Sequence, residues 1–225
     1  MLIEELQAYL KGDPFDVEGF QSRITWLPYE GESKVPIDVF GSGPHVIDLG
    51  ARLGDRFTVT VGAEPERVGW AIRSARESRV AAGLHPETID IGAFVVVGAG
   101  TYQRSLEELV RGNASISAHF HRDVTSSLSS SDATIVEEVT SRYDKYHHGL
   151  EHASQAEAIP ADFLSRFCII GSPDYCTERL RQLVEIGLTH LVIVGGSREI
   201  DAAVRERSDH PVAREVLPAM RDAFA

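Results

Sequence analysis

Apolar positions along the chain switch between two periods. Leu2, Ile3, Leu6 and Leu10 fall on one face at helical spacing, and Gly12, Asp13 and Pro14 stop that helix. No capping residue precedes it, so it reads as an element that once continued upstream. Residues 13 to 34 read as irregular, with a short strand at Arg23 to Trp26. From Pro36 onward, short β-type runs alternate with helical ones. Pro36 to Phe40 leads into a glycine turn and a helix. Phe57 to Val61 is rich in β-branched residues. The helix after it opens at Pro65, carries Val68, Ile72 and Ala75 on one face, and ends at Gly83. Ile89 to Val97 and Leu191 to Val194 are the third and fourth strands. Strands alternating with helices predict βα units and a parallel sheet.

Between the third and fourth strands lies a long insert, roughly residues 101 to 166. Its serine-rich stretch, Thr125 to Asp132, reads as a loop, and residues 125 to 131 are expected to be the most mobile internal segment. Asp132 is placed to cap the helix that follows. Phe167 to Ile170 is a short buried run. Ser172 and Pro173 then open a helix as N-cap and first residue, and Gly187 ends it. The tail from Pro211 to Phe224 is amphipathic through Val212, Val216, Leu217 and Met220. No second domain boundary and no short repeat is visible, so residues 1–225 read as one domain.

Composition narrows the class. Apolar residues make up 43% of the 225 and charged residues 25%, which excludes wholesale disorder. The net charge of −12 argues against nucleic acid as a partner. Glu4 and Glu5 sit where a signal peptide would carry base, and the longest apolar run, near Phe94 to Val97, cannot span a bilayer. A cytoplasmic protein with no membrane partner is expected. Cys168 and Cys176 have no CxxC spacing and read as reduced thiols or packing residues.

Few residues point to chemistry. Gly41, Ser42, Gly43 and Pro44 follow a strand and open a helix, where backbone N–H groups and the Ser42 hydroxyl could hold a phosphate. The alternative is a tight βα turn with no ligand. Gly171 to Asp174 and Gly195 to Ser197 are similar turns and read as caps. His148 and His152 stand i,i+4, as on one helical face. Their order is HGLEH, not HExxH, and no third ligand follows, so no metal is expected. His119 and His121 alternate as on a strand and read as packing or solvated groups. Glu137, Glu138 and Asp144 read as solvated. No catalytic nucleophile is identified.

Taken together, these pieces resemble the luciferase-like monooxygenase superfamily. The run VPIDVFGSGPHVIDLGARLGDRF is similar to its mid-chain signature, FCIIGSPDYCTERLRQLVEIGLTHLVIVGG to its late signature, and EVLPAMR to its closing helix. The YDKYHH segment is similar to the methylenetetrahydromethanopterin reductase branch, which uses the deazaflavin coenzyme F-420. The resemblance implies an α/β fold, a (β/α)8 TIM barrel of which this chain carries the last four βα units and a helical insertion. It implies an oxidoreductase, monooxygenase or reductase, acting on a small-molecule substrate with FMN or coenzyme F-420 as cofactor. Gly41, Ser42, Gly43 and Pro44 match the turn at the cofactor's phosphate or linker, and His148 lies in a stretch that approaches the cofactor in some members. In the family the first four strands supply most residues around the reactive ring, so the resemblance leaves open whether the chain is active alone. The open inner face, with Val39, Val59, Val95 and Ile193 or their strand neighbours, then calls for a homodimer or a separate N-terminal half-barrel. A non-enzymatic dimeric flavin-binding or structural protein of the same superfamily is the alternative. An unrelated doubly wound phosphate-binding domain is a third, separable by strand order.

Overall fold

A computed structural model describes residues 2–26, 34–122 and 128–221. The chain opens with α1 (Leu2–Lys11) and a small antiparallel hairpin, β1 (Phe15–Val17) and β2 (Phe20–Ser22). The hairpin replaces the irregular segment expected there, and Arg23 to Trp26 forms no strand. Its turn is Glu18–Gly19, with φ of 52° and 88°. Two left-handed residues are what a two-residue hairpin needs. Glu at the first of them is uncommon, which hid the turn from the sequence.

The main sheet is parallel. β3 (Asp38–Gly41) is followed by α2 (Pro44–Leu53), β4 (Arg56–Val59) by α3 (Pro65–Ala81), and then comes the ten-residue β5 (Asp90–Ala99). β3 pairs β4, and β4 pairs the first part of β5. The insert is helical: α4 (Gln103–His119), α5 (Ser130–Ser141), a 3-10 turn (Lys145–His147), α6 (Ser154–Glu157) and α7 (Ala161–Phe167). Then follow β6 (Ile169–Gly171), α8 (Pro173–Glu185), β7 (His190–Val194) and a C-terminal run of α9 (Ala202–Pro211), a π-helical turn (Val212–Val216) and α10 (Leu217–Arg221). β6 pairs the far end of β5, while β7 pairs Gly92 to Val96. Gly92 pairs Thr58 and His190, so β4 and β7 flank β5. Apart from the short β6, which pairs only the last residues of β5, the order β3–β4–β5–β7 follows the chain with no reversal, which sets aside the doubly wound alternative.

Several local expectations change. His119 ends α4 rather than lying on a strand, and His121 follows it in a turn. The AHFH spacing of two suits a strand, but the 17-residue amphipathic run before it carries the helix through. α5 begins at Ser130, with Ser129 as its cap accepting from the Asp132 N–H at 3.2 Å. Asp132 is therefore inside the helix. Of the stretch expected to be mobile, residues 125–127 lie outside the described residues and Ser130 and Ser131 are helical.

Two apolar clusters hold the two faces of the sheet. On one face α2, α3 and α8 pack over Phe57, Val59, Ile91, Val95 and Val97. Val39 and Ile193 pack against the same cluster, so the four residues expected on an open inner face lie on the helix-covered side. A period of two separates the faces but does not say which one the helices take. On the other face the insert folds back: Leu106, Leu109 and Val110 of α4 pack with Val96, and Phe163, Leu164 and Phe167 of α7 join them.

Below that second cluster the sheet is uncovered and polar. Thr58 Oγ1 donates to Asp38 Oδ2 at 2.7 Å and accepts from His190 Nε2 at 2.9 Å. The His190 ring lies over Gly92, where a Cβ would fall 2.1 Å from Nε2. In a flat sheet β3 and β7 would stand about 14 Å apart, at ~4.8 Å per strand. Yet Asp38 Oδ2 and His190 Nε2 are 3.7 Å apart. The sheet is curled, concave toward this face. Among the described residues no helix is long and apolar enough to cross a membrane.

Candidate functional site

The strands point their C-terminal ends at the turns that the sequence singled out. Gly41 closes β3, and its carbonyl accepts from the Thr60 N–H at 3.0 Å. A Cβ there would fall 2.3 Å from Val46 Cγ1, so its lack of a side chain lets the first turn of α2 pack down. Ser42 is buried, and its Oγ donates to the Phe120 carbonyl at 2.9 Å. Gly43 is the N-cap of α2 and has no side chain to cap it, and Pro44 brings no N–H. The donors left at this helix start are the backbone N–H groups of its first turn. A phosphate there would be held by backbone and by the helix dipole rather than by the serine.

Beside Pro44 lies a cleft of about 920 Å³, bounded by the starts of α3 and α5 and by Arg166. Three of its charged side chains form one cluster. Arg166 grips Asp132 with both terminal nitrogens, at 2.7 and 3.0 Å, and reaches Glu64 at 3.2 Å. That grip holds the Asp132 carboxyl below its usual range and raises Arg166. Arg67 is buried and donates from Nε to the Val61 carbonyl at 3.0 Å. Burial pulls its pKa down to about 10, against the pull of Glu64 and Asp132, so it stays charged. His121 is wholly buried, and its Nδ1–H donates to the Ser117 carbonyl at 2.8 Å. Burial, and then Arg67, pushes its pKa to about 3. It is a neutral imidazole, and its Nε2 has no partner among the described residues.

His148 stands near the end of β7, not on a helix with His152. It follows the 3-10 turn, and Gly149 at φ 78° bends the chain before His152. The i,i+4 reading fails at that bend. Among the described residues no three His, Cys, Asp or Glu side chains are grouped to hold a metal. His148 Nδ1 meets the Tyr143 hydroxyl. Burial raises the Tyr143 pKa, so the phenol keeps its proton and donates. The Tyr143 ring stacks on His119 with centroids 3.7 Å apart. Arg198, just past β7, donates from Nη1 to the His148 carbonyl at 3.0 Å. Of the acids read as solvated, Asp144 caps the 3-10 turn and bonds His147 Nδ1 at 2.6 Å.

The structure links the two candidate pieces through the end of α4. His119 stacks toward His148 by way of Tyr143, and the next residue, Phe120, receives the Ser42 hydroxyl. Phe120 also meets Phe40 edge-on at 6.3 Å, and Phe40 meets Phe94 at 5.3 Å. Sequence reasoning missed Tyr143, Arg67 and the Asp132–Arg166 pair. A signal for Arg67 existed: it starts the i,i+4 row Arg67, Ala71, Ala75, Arg79, which is the buried face of α3. Both cysteines are buried, with the Cys176 thiol pushed up to about 11, which suits packing rather than nucleophilic attack.

The family described as luciferase-like monooxygenase matches residues 2–190. The F-420-dependent glucose-6-phosphate dehydrogenase of Microbacterium testaceum is 25% identical over 200 residues, covering 86% of this chain and 51% of that protein. The 5,10-methylenetetrahydromethanopterin reductase of Methanopyrus kandleri is 21% identical over 223 residues, covering 97% of this chain and 61% of its own. Among solved structures, the coenzyme F-420-dependent tetrahydromethanopterin reductase from Methanopyrus kandleri superposes with a TM-score of 0.69 at 18% identity, over 96% of this chain and 62% of that one. An F-420-dependent secondary alcohol dehydrogenase gives 0.65 at 16% identity, over 98% and 60%. The chain spans between half and two thirds of the length of these relatives.

Proposed function

The chain belongs to the luciferase-like monooxygenase family, and on that premise we propose that it is the cofactor-anchoring half of a flavin- or deazaflavin-dependent oxidoreductase. The observation that carries this reading is the uncapped start of α2, at the C-terminal end of a parallel sheet, behind Gly41–Ser42–Gly43–Pro44. Ligands of parallel α/β proteins sit at that end of the strands. The named relatives that depend on coenzyme F-420 support the deazaflavin, and FMN is the other cofactor considered.

The residues present fit the anionic part of such a cofactor. The first-turn N–H groups of α2 bind a phosphate. Ser42 holds the turn in place through Phe120, and His148, held by Tyr143 and Arg198, is the second residue assigned to the cofactor. When bound, the cofactor's ring supplies the redox chemistry, hydride transfer or oxygen activation. The curled sheet is read as the last four βα units of a (β/α)8 barrel. Its concave face is covered by a second copy or by a separate N-terminal half-barrel.

The test is a titration of the purified chain with coenzyme F-420 and with FMN, followed by absorbance and fluorescence. Binding is expected, and Gly43→Val should weaken it at least tenfold by keeping the phosphate off the backbone. Unchanged affinity in a folded Gly43→Val protein overturns the assignment. Binding with no turnover, by the chain or by the chain with its cover, leaves the non-enzymatic flavin-binding alternative in its place.

A further inference from the structure

The edges of the curled sheet are its least covered parts, and no residue of α1 is buried, with Leu2 70% and Leu6 43% exposed. Val59 and Val95 on the middle strands are 0% and 1% exposed. On β7, by contrast, Leu191 and Ile193 are only half-buried although they face the helices, and on β3 Val39 is the same. On the concave side Phe40 is 44% and Val192 40% exposed. α1 gathers Leu2, Ile3, Leu6 and Leu10 on one face and buries none of them. Its Gln7 Nε2 donates to the Leu53 carbonyl at 3.0 Å, which sets the helix beside the end of α2. A helix there, with only the small hairpin described between it and β3, occupies the place of a crossover helix covering a strand on the free edge of β3. No described strand lies there.

We propose that a second copy of this chain supplies that strand. β3 of each copy pairs with β7 of the other, about a two-fold axis running along the strands, and α1 of one copy covers Leu191 and Ile193 of the other. The inference rests on the half-barrel reading above and names the cover. Four strands from each copy, β3, β4, β5 and β7, make eight, the number at which a parallel βα barrel closes on a core filled by side chains. The curl needed is already present, since Asp38 and His190 meet across the concave face at 3.7 Å. The two free edges run in the same direction, so a rotation about the strand direction joins both at once and leaves no open edge. The apolar face of α1 and the half-bare face of β7 lie at opposite edges of the sheet, so one copy cannot bring its own pair together.

The experiment uses the full chain without cofactor. Light scattering at 10 μM (an on-the-order-of micromolar loading suited to weak dimers) should give twice the 24.7 kDa chain mass. Leu6 is 43% exposed, so Leu6→Asp should keep the circular dichroism of the wild type and weaken the dimer at least tenfold. A Leu6→Cys, Leu191→Cys double variant should oxidise to a covalent dimer, with neither single variant doing so. A wild-type monomer overturns the proposal, and so does a dimer whose cysteine pair never cross-links. Where the aspartate and cysteine variants differ, the cross-link decides. No cofactor takes part, so a failed flavin titration overturns the oxidoreductase reading and leaves this one standing.

Discussion

His121 has the same burial as a core leucine and the chemistry of a base. Its pKa of about 3 in the fold compares with about 6.5 in an unfolded chain. The unfolded chain takes up a proton near pH 6.5 where the folded one does not. Stability is therefore complete above pH 6.5 and is lost as pH falls from there toward 3, with about 2 kcal/mol gone between pH 7 and pH 5. The paired carboxylates, such as Asp132 beside Arg166, add losses in the same direction at lower pH. Urea unfolding at the two pH values should show the loss, and His121→Gln should remove most of it. Equal pH dependence in both proteins would mean that His121 is solvated. Gly43 offers a separate test. Gly43→Asp gives α2 the side-chain cap it lacks, which should leave stability unchanged or a few tenths of a kcal/mol higher. The same carboxylate stands where the phosphate is placed, so cofactor affinity should fall at least tenfold. A stable Gly43→Asp protein that binds as before would move the anion site elsewhere.

At the scale of elements, two serines cap helices in the same way. Ser172 accepts from the Tyr175 N–H and Ser129 from the Asp132 N–H, each at 3.2 Å. Ser172→Ala and Ser129→Ala should each cost about 1 kcal/mol in chemical denaturation. A null effect at Ser129 would mean that Arg166–Asp132 alone fixes the start of α5. Ser172 was legible because Pro173 marks the first turn. Ser129 was hidden by a serine run in which several residues could cap, and the carboxylate of Asp132 looked the better candidate until Arg166 claimed it. The same contrast runs through the fold. The parallel strands and α2, α3 and α8 follow from periodicity because each is a local pattern that burial reinforces. What periodicity could not give was set at long range. The face taken by the helices, the return of α4 over Val96 and the separation of His148 from His152, where the Gly149 carbonyl accepts from the Arg198 N–H at 2.8 Å, depend on partners far along the chain. For the site, the Gly41–Pro44 turn was readable as strand, glycine and helix start. The tie from Ser42 to Phe120, 78 residues away, was not.

Across the whole molecule the chain is acidic, at −12, yet the ligand proposed for it is an anion. Attraction from net charge is absent, and at physiological salt charges beyond about 8 Å are screened. Binding must come from the few N–H groups at the start of α2, which makes it depend on the phosphate. Thermal unfolding tests that dependence without knowledge of the substrate. A ligand that binds only the folded chain, at a hundred times its Kd, adds about 2.7 kcal/mol. For a protein of this size that raises Tm by roughly 5 to 10 °C. Coenzyme F-420 or FMN should produce such a rise, and the larger one identifies the cofactor. Riboflavin, which has FMN's ring and ribityl chain but no phosphate, should produce almost none at the same concentration. Equal shifts from riboflavin and FMN, with none from F-420, would place recognition in the ring and remove the anchoring role from Gly41–Pro44.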